Sequence, residues 1–149
     1  MSTLEALTRE MIVDEARTWI GTSYHHGACV RGRGVDCGRL VEGVYRAFGV
    51  PVRMYDAPYA HDWHLHHTEE RLLSYVQEHC DIIPEAALRP ADIILWQYAR
   101  AHAHAGIYVG DGYIIHADLD ARTTHISEID GGSRAGRHRI CLAFRGFLQ

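Results

Sequence analysis

The chain has 149 residues, 47% hydrophobic and 23% charged, which suits one compact domain with a true core. A net charge of -4 with no arginine-rich run excludes a nucleic-acid footprint, and no apolar stretch reaches membrane-spanning length. Four scattered cysteines without a Cys-x-x-Cys pair suit neither a zinc knuckle nor a disulfide framework, which leaves a free reactive thiol as the economical use of one of them. Glu5, Glu10 and Asp14 interrupt the place of a signal peptide's apolar segment, so synthesis in the cytoplasm without a signal is expected. Histidine, at 12 residues, is the compositional anomaly.

Leu4, Leu7, Met11, Ala16, Trp19 and Ile20, with Ile12 beside them, recur at helical spacing and predict a first helix over about residues 3–20. Gly21 breaks it, and residues 21–35, with Arg31 and Arg33 among glycines, read as a loop. Tyr24 in that loop serves equally as a core aromatic or as the wall of a groove. Asp36 is a good N-cap for a second helix that carries Cys37 in its first turn. Leu40, Val41, Val44, Tyr45 and Phe48 give that helix an apolar face, and Gly49 then Pro51 stop it. Residues 50–67 have no clean period and include the histidine-rich run His61, His64, His66, His67. Thr68 opens a third helix, with Leu72, Leu73, Val76 and Cys80 on one face.

Beyond Pro84 and Pro90 the texture changes to strands. Residues 93–96 are a short apolar run, and residues 103–109 alternate, with a hairpin signal at Gly110-Asp111-Gly112 and a return strand to Ala117. Residues 124–129 and 139–147 are further strands, separated by a Gly131-Gly132-Ser133 turn. Helices first and antiparallel strands afterwards predict an α+β fold over a single domain, 1–149.

A thiol at a helix start sits among amides with no intrahelical acceptor, at the positive end of the dipole, and this favours thiolate. It needs a base, and the base needs an orienting partner. The hairpin can supply both. A two-residue loop would set Ile107 opposite His116 and turn His116 away from His104. A three-residue loop sets Gly106 opposite His116 and puts both histidines on one face, and glycine at the last loop position favours it. Cys37 is then the nucleophile, His104 the base, and His116 the group that fixes the tautomer of His104. Gly106, without a side chain, would leave room for the cysteine helix.

The motifs Asp36-Cys37, His104-Ala105-Gly106-Ile107-Tyr108-Val109-Gly110 and Ile115-His116-Ala117, in this order, resemble the NlpC/P60 cysteine peptidases. Gly21-Thr-Ser-Tyr24 and Pro90-Ala91-Asp92-Ile93-Ile94-Leu95 are similar to the flanking elements of that family. The resemblance implies a papain-like fold with N-terminal helices packed on an antiparallel β-sheet. It also implies thiol hydrolysis of peptidoglycan stem peptides, often between γ-D-glutamate and diaminopimelate. The family positions are nucleophile at Cys37, base at His104 and a polar third residue at His116, while Tyr24, Asp36 and Arg39 fall at the substrate side. No cofactor or metal is implied.

One departure stands out. The helix starts Asp36-Cys37-Gly38-Arg39, where family members usually carry glycine at the place of Arg39. The short form and the Tyr55 to Leu73 stretch are most like the versions in phage tails and gene transfer agents. This predicts tail proteins as partners and action at the cell wall within a particle. Two rivals remain: a structural tail component of the same fold without activity, supported by Arg39, and a zinc hydrolase using the 61–67 histidines or His102 with His104.

Overall fold

The computed structural model describes residues 7–54, 76–98 and 101–147, the side chains of residues 101 and 102 excepted. Helix α1 (Arg9–Arg17) begins at Thr8, whose hydroxyl accepts the amide of Met11. It is shorter than the expected 3–20. The Thr18 hydroxyl donates to the Glu15 carbonyl, and the chain turns through Trp19 and Ile20 to Gly21, so Ile20 is exposed rather than apolar-facing. Ile12, Val13 and Ala16 form the buried stripe.

The loop that follows contains a small hairpin that periodicity could not show, because each strand is two residues long: β1 (Cys29–Val30) and β2 (Gly34–Val35). Helix α2 (Cys37–Arg46) starts at Asp36 as expected. Asp36 is extended, and its carboxylate accepts the Arg39 amide at 2.9 Å. At the other end Gly49 takes a left-handed φ of 78° just before Pro51. Leu40, Val41, Val44 and Tyr45 of α2 are fully buried.

The sheet consists of β3 (Cys80–Ile83), β4 (Ile93–Tyr98), β5 (Ala101–Gly110), β6 (Tyr113–Asp118), β7 (Thr123–Glu128) and β8 (Arg139–Phe144). Its spatial order is β3-β8-β4-β5-β6-β7, and every neighbouring pair is antiparallel. The α+β expectation holds. Cys80, expected on a helix face, instead opens β3 and pairs with Phe144. An apolar residue at helical spacing from Val76 is equally an inward strand residue when β8 offers a free edge, and that tertiary pairing decides it. Of the predicted third helix, Val76 is helical and fully buried in the main core, while residues 68–75 and the 61–67 histidine run lie outside the described residues.

The two faces of the sheet have different company. Ile93, Leu95, Ala105, Ile107, Ile115, Ala117 and Leu142 join the helices in the main core. Ile94, Trp96, Ile114, Ile129 and Cys141 form a second, smaller cluster on the other side.

Candidate active site

Cys37 is 5% exposed at the first turn of α2, and its thiol lies 3.6 Å from the Ala103 carbonyl. That carbonyl belongs to a bulge. Trp96 pairs with His104 and Gln97 with His102, so Ala103 has no partner on β4. The thiol therefore reaches β5 where the strand's alternation is broken, one residue before His104.

The β5–β6 hairpin delivers the expected pairing of histidines by an unexpected device. Gly110 pairs with Tyr113, which leaves a two-residue turn, Asp111 and Gly112, both with positive φ (55° and 84°). A bulge between Tyr108 and Gly110 then shifts the register, so that Ile107 opposes Ile115. Carried one residue on, this register sets Gly106 against His116. A Cβ on Gly106 would meet Ile114 at 3.2 Å, Trp96 at 3.3 Å and the His116 Cβ at 3.4 Å. The space that Gly106 leaves is thus used by its neighbours within the sheet and not by α2. With a bulge doing the work of a longer loop, His104 Nε2 lies 2.8 Å from His116 Nδ1, the two rings edge to face.

His116 is fully buried. Its Nε2 lies 3.1 Å from the Ser127 hydroxyl. His125, paired with His116 across β6 and β7, stacks on it at a centroid distance of 5.1 Å and bonds the Asp118 carboxylate at 2.9 Å. Burial pushes both His104 and His116 below the ordinary histidine pKa. The Arg134 guanidinium lowers them further, while Asp118 works the other way on His104. Both rings are therefore neutral near pH 7.

Arg134, Ser127, His125 and Asp118 had no role in the sequence reading. Two of them left a usable signal: His125 and Ser127 alternate on the strand after the hairpin, and so share one face.

The remaining candidates divide. Tyr24 forms a parallel bridge with Val35. Its hydroxyl pKa is pushed up by burial, then by the negative charges of Cys37 and Asp36, which keeps it protonated and able to donate. Asp36 is 2% exposed, and its second oxygen accepts the Gly27 amide at 2.8 Å. Its carboxylate ties the 25–28 loop to the helix start. Arg39 is not brought to the thiol. Two residues further on lies about 200° round a helix, and its guanidinium instead pairs with the buried Glu42 at 2.7 Å. Glu42 in turn accepts the Met54 amide at 2.7 Å.

Sequence comparison matches residues 21–139 to the NlpC/P60 family. Among curated proteins, the murein DD-endopeptidase MepS/murein LD-carboxypeptidase of Escherichia coli is 26% identical over 114 residues, which is 76% of this chain and 51% of that protein. The chain thus spans about half the length of the curated relatives it matches. Among solved structures, the NlpC/p60 domain of the peptidoglycan hydrolase SagA superposes with a TM-score of 0.68 at 19% identity, covering 93% of this chain and 100% of that one. NlpC1 of Trichomonas vaginalis superposes with a TM-score of 0.69 at 18% identity, covering 95% of this chain and 45% of that one. These similarities establish the fold.

Proposed function

Given that the chain belongs to the NlpC/P60 family, we propose that it is a cysteine peptidase that cleaves peptidoglycan stem peptides, with Cys37 as nucleophile. The observation that carries this reading is the pairing of His104 Nε2 with His116 Nδ1 at 2.8 Å on the strand whose bulged carbonyl the Cys37 thiol touches. With Nε2 held by His116, the ring nitrogen left for the thiol is Nδ1 of His104.

The steps follow from the proton inventory. His104 carries its proton on Nε2 and donates it in a hydrogen bond to His116 Nδ1. His116 carries its own proton on Nε2, facing the Ser127 hydroxyl. Nδ1 of His104 then has a free lone pair to take the Cys37 proton as sulfur attacks the scissile carbonyl. The tetrahedral oxyanion is met by the first-turn amides of α2, oriented by the Asp36 cap, with the protonated Tyr24 hydroxyl as a further donor. The imidazolium of His104 next protonates the leaving amine. Water, deprotonated by the same ring, releases the acyl group from sulfur.

The bond between γ-D-glutamate and diaminopimelate is the proposed target. Attachment to a phage-like tail is proposed on the resemblance of the Tyr55 to Leu73 stretch, and would bring a protein made in the cytoplasm to the wall. Purified peptidoglycan digested with wild type and Cys37→Ala, with fragments read by mass spectrometry, tests the activity and names the bond. New fragments from wild type alone are expected. No fragments from a folded wild-type protein would favour the structural tail component.

A further inference from the structure

Next to the histidine pair is a set of ligand atoms of which the peptidase chemistry uses only that of His116. His116 Nε2 and Asp118 Oδ2 are 3.8 Å apart, His125 Nε2 and Asp118 Oδ2 are 2.9 Å apart, and all three atoms lie within 4.8 Å of one another. The Ser127 hydroxyl stands 3.1 Å from His116 Nε2 and 3.2 Å from His125 Nε2. A tetrahedral zinc ion with bonds of about 2.0–2.1 Å needs ligand atoms separated by about 3.3 Å. The two edges that Asp118 makes, 2.9 and 3.8 Å, bracket that value, and the third edge of the triad, between His116 Nε2 and His125 Nε2, is no more than 4.8 Å.

Access is one-sided. The His116 side chain is fully buried, whereas those of Asp118 and His125 are 17% and 36% exposed. Two imidazoles and one carboxylate are the donor set of borderline divalent ions, zinc foremost.

We propose that His116, Asp118 and His125 form a binding site for a zinc-class divalent ion, and that an ion there switches the thiol reaction off without touching Cys37. The second half rests on the peptidase reading above, and the first half does not. Coordination needs the lone pair of His116 Nε2, so the proton of His116 must sit on Nδ1. Nδ1 then donates to His104 Nε2, and His104 must carry its own proton on Nδ1, the nitrogen that would receive the thiol proton. The His104 Nε2 proton crosses to His116 Nδ1, the His116 Nε2 proton leaves to water, and one from water enters at His104 Nδ1. No net proton is gained or lost by the pair. The catalytic ring is left neutral in the wrong tautomer. His125 moves its proton to Nδ1 likewise, and Asp118 needs no change. The fourth position is open to water or to Ser127.

The test separates binding from switching. Zinc titration by calorimetry is run on Cys37→Ala, where the thiol cannot bind the ion, and on the same protein with His125→Gln or with Asp118→Asn. Loss of one equivalent in both double variants, each folded by circular dichroism, is expected. Unchanged binding, or no binding to Cys37→Ala, overturns the site. The switch is read as zinc inhibition of stem-peptide hydrolysis. Half-inhibition is expected to need at least tenfold more zinc in His125→Gln than in wild type, each compared with its own metal-free rate. Equal inhibition in both would place the inhibitory ion on the thiol and overturn the switch. Should hydrolysis be absent altogether, the peptidase reading fails, and calorimetry still decides the site. The switch is then read from imidazole nitrogen NMR, where zinc must move the His104 proton from Nε2 to Nδ1.

Discussion

The two halves of the candidate site are built in opposite ways. The thiol half is local. Gly34 to Val41 is one contiguous stretch in which Asp36 caps α2, holds the Gly27 amide and sets Cys37 in the first turn. The histidine half is assembled from three strands, with His104 on β5, His116 on β6 and Ser127 and His125 on β7. The first half depends on one capping residue, and the second on register. A one-residue slip in a strand turns every side chain to the other face, and here one bulge, near Val109, brings β5 and β6 to the register the pair needs, while a second, at Ala103, lies where the thiol meets β5.

This difference tells where the site is most easily broken. The largest effect is expected from His104→Ala, a fall of about 10²–10⁴-fold in kcat/KM on stem peptide. His116→Ala should cost less, about 10²-fold, as the base stays but its ring is no longer fixed. A greater loss at His116 than at His104 would reverse the roles. Asp36→Ala removes a helix cap and the acceptor of the Gly27 amide together. Chemical denaturation should show a loss of about 2–3 kcal/mol. The smallest effect is on pH dependence. Burial lowers the His104 pKa, so the ring stays neutral, and able to accept a proton, below the ordinary value of about 6.5. In chelator-treated buffer, the acid limb of kcat/KM should therefore lie below that value. A limb above it would mean that the base is stabilised in its charged form.

The same contrast explains what was legible in the sequence. The Asp36 cap, the extent of α2 and its stop at Gly49 are set by neighbours in the chain, and they could be read directly. The pairing of His104 with His116 was legible because the hairpin signal ties both to one turn, although the turn proved to be two residues with a bulge rather than three. Ser127, His125 and Arg134 were missed because their place beside His116 depends on β7 register and on a turn of 3-10 helix at Gly132–Arg134, which a periodicity reading does not fix. Arg39 was placed near the thiol by adjacency in sequence. The helix carries it round to Glu42, so the departure from the usual glycine lies away from the sulfur.

The four cysteines offer the most direct test. Burial pushes the Cys80 thiol up to about 12 and the Cys141 thiol up to about 11, and raises Cys29 as well. None of these three should react readily near neutral pH. Iodoacetamide labelling at pH 7, followed by peptide mass spectrometry, gives a rate for each cysteine in wild type and in His104→Ala. The account predicts that Cys37 is the fastest of the four in wild type and that its advantage is lost in His104→Ala. A Cys37 that reacts no faster than Cys29, or at the same rate with and without His104, would contradict it.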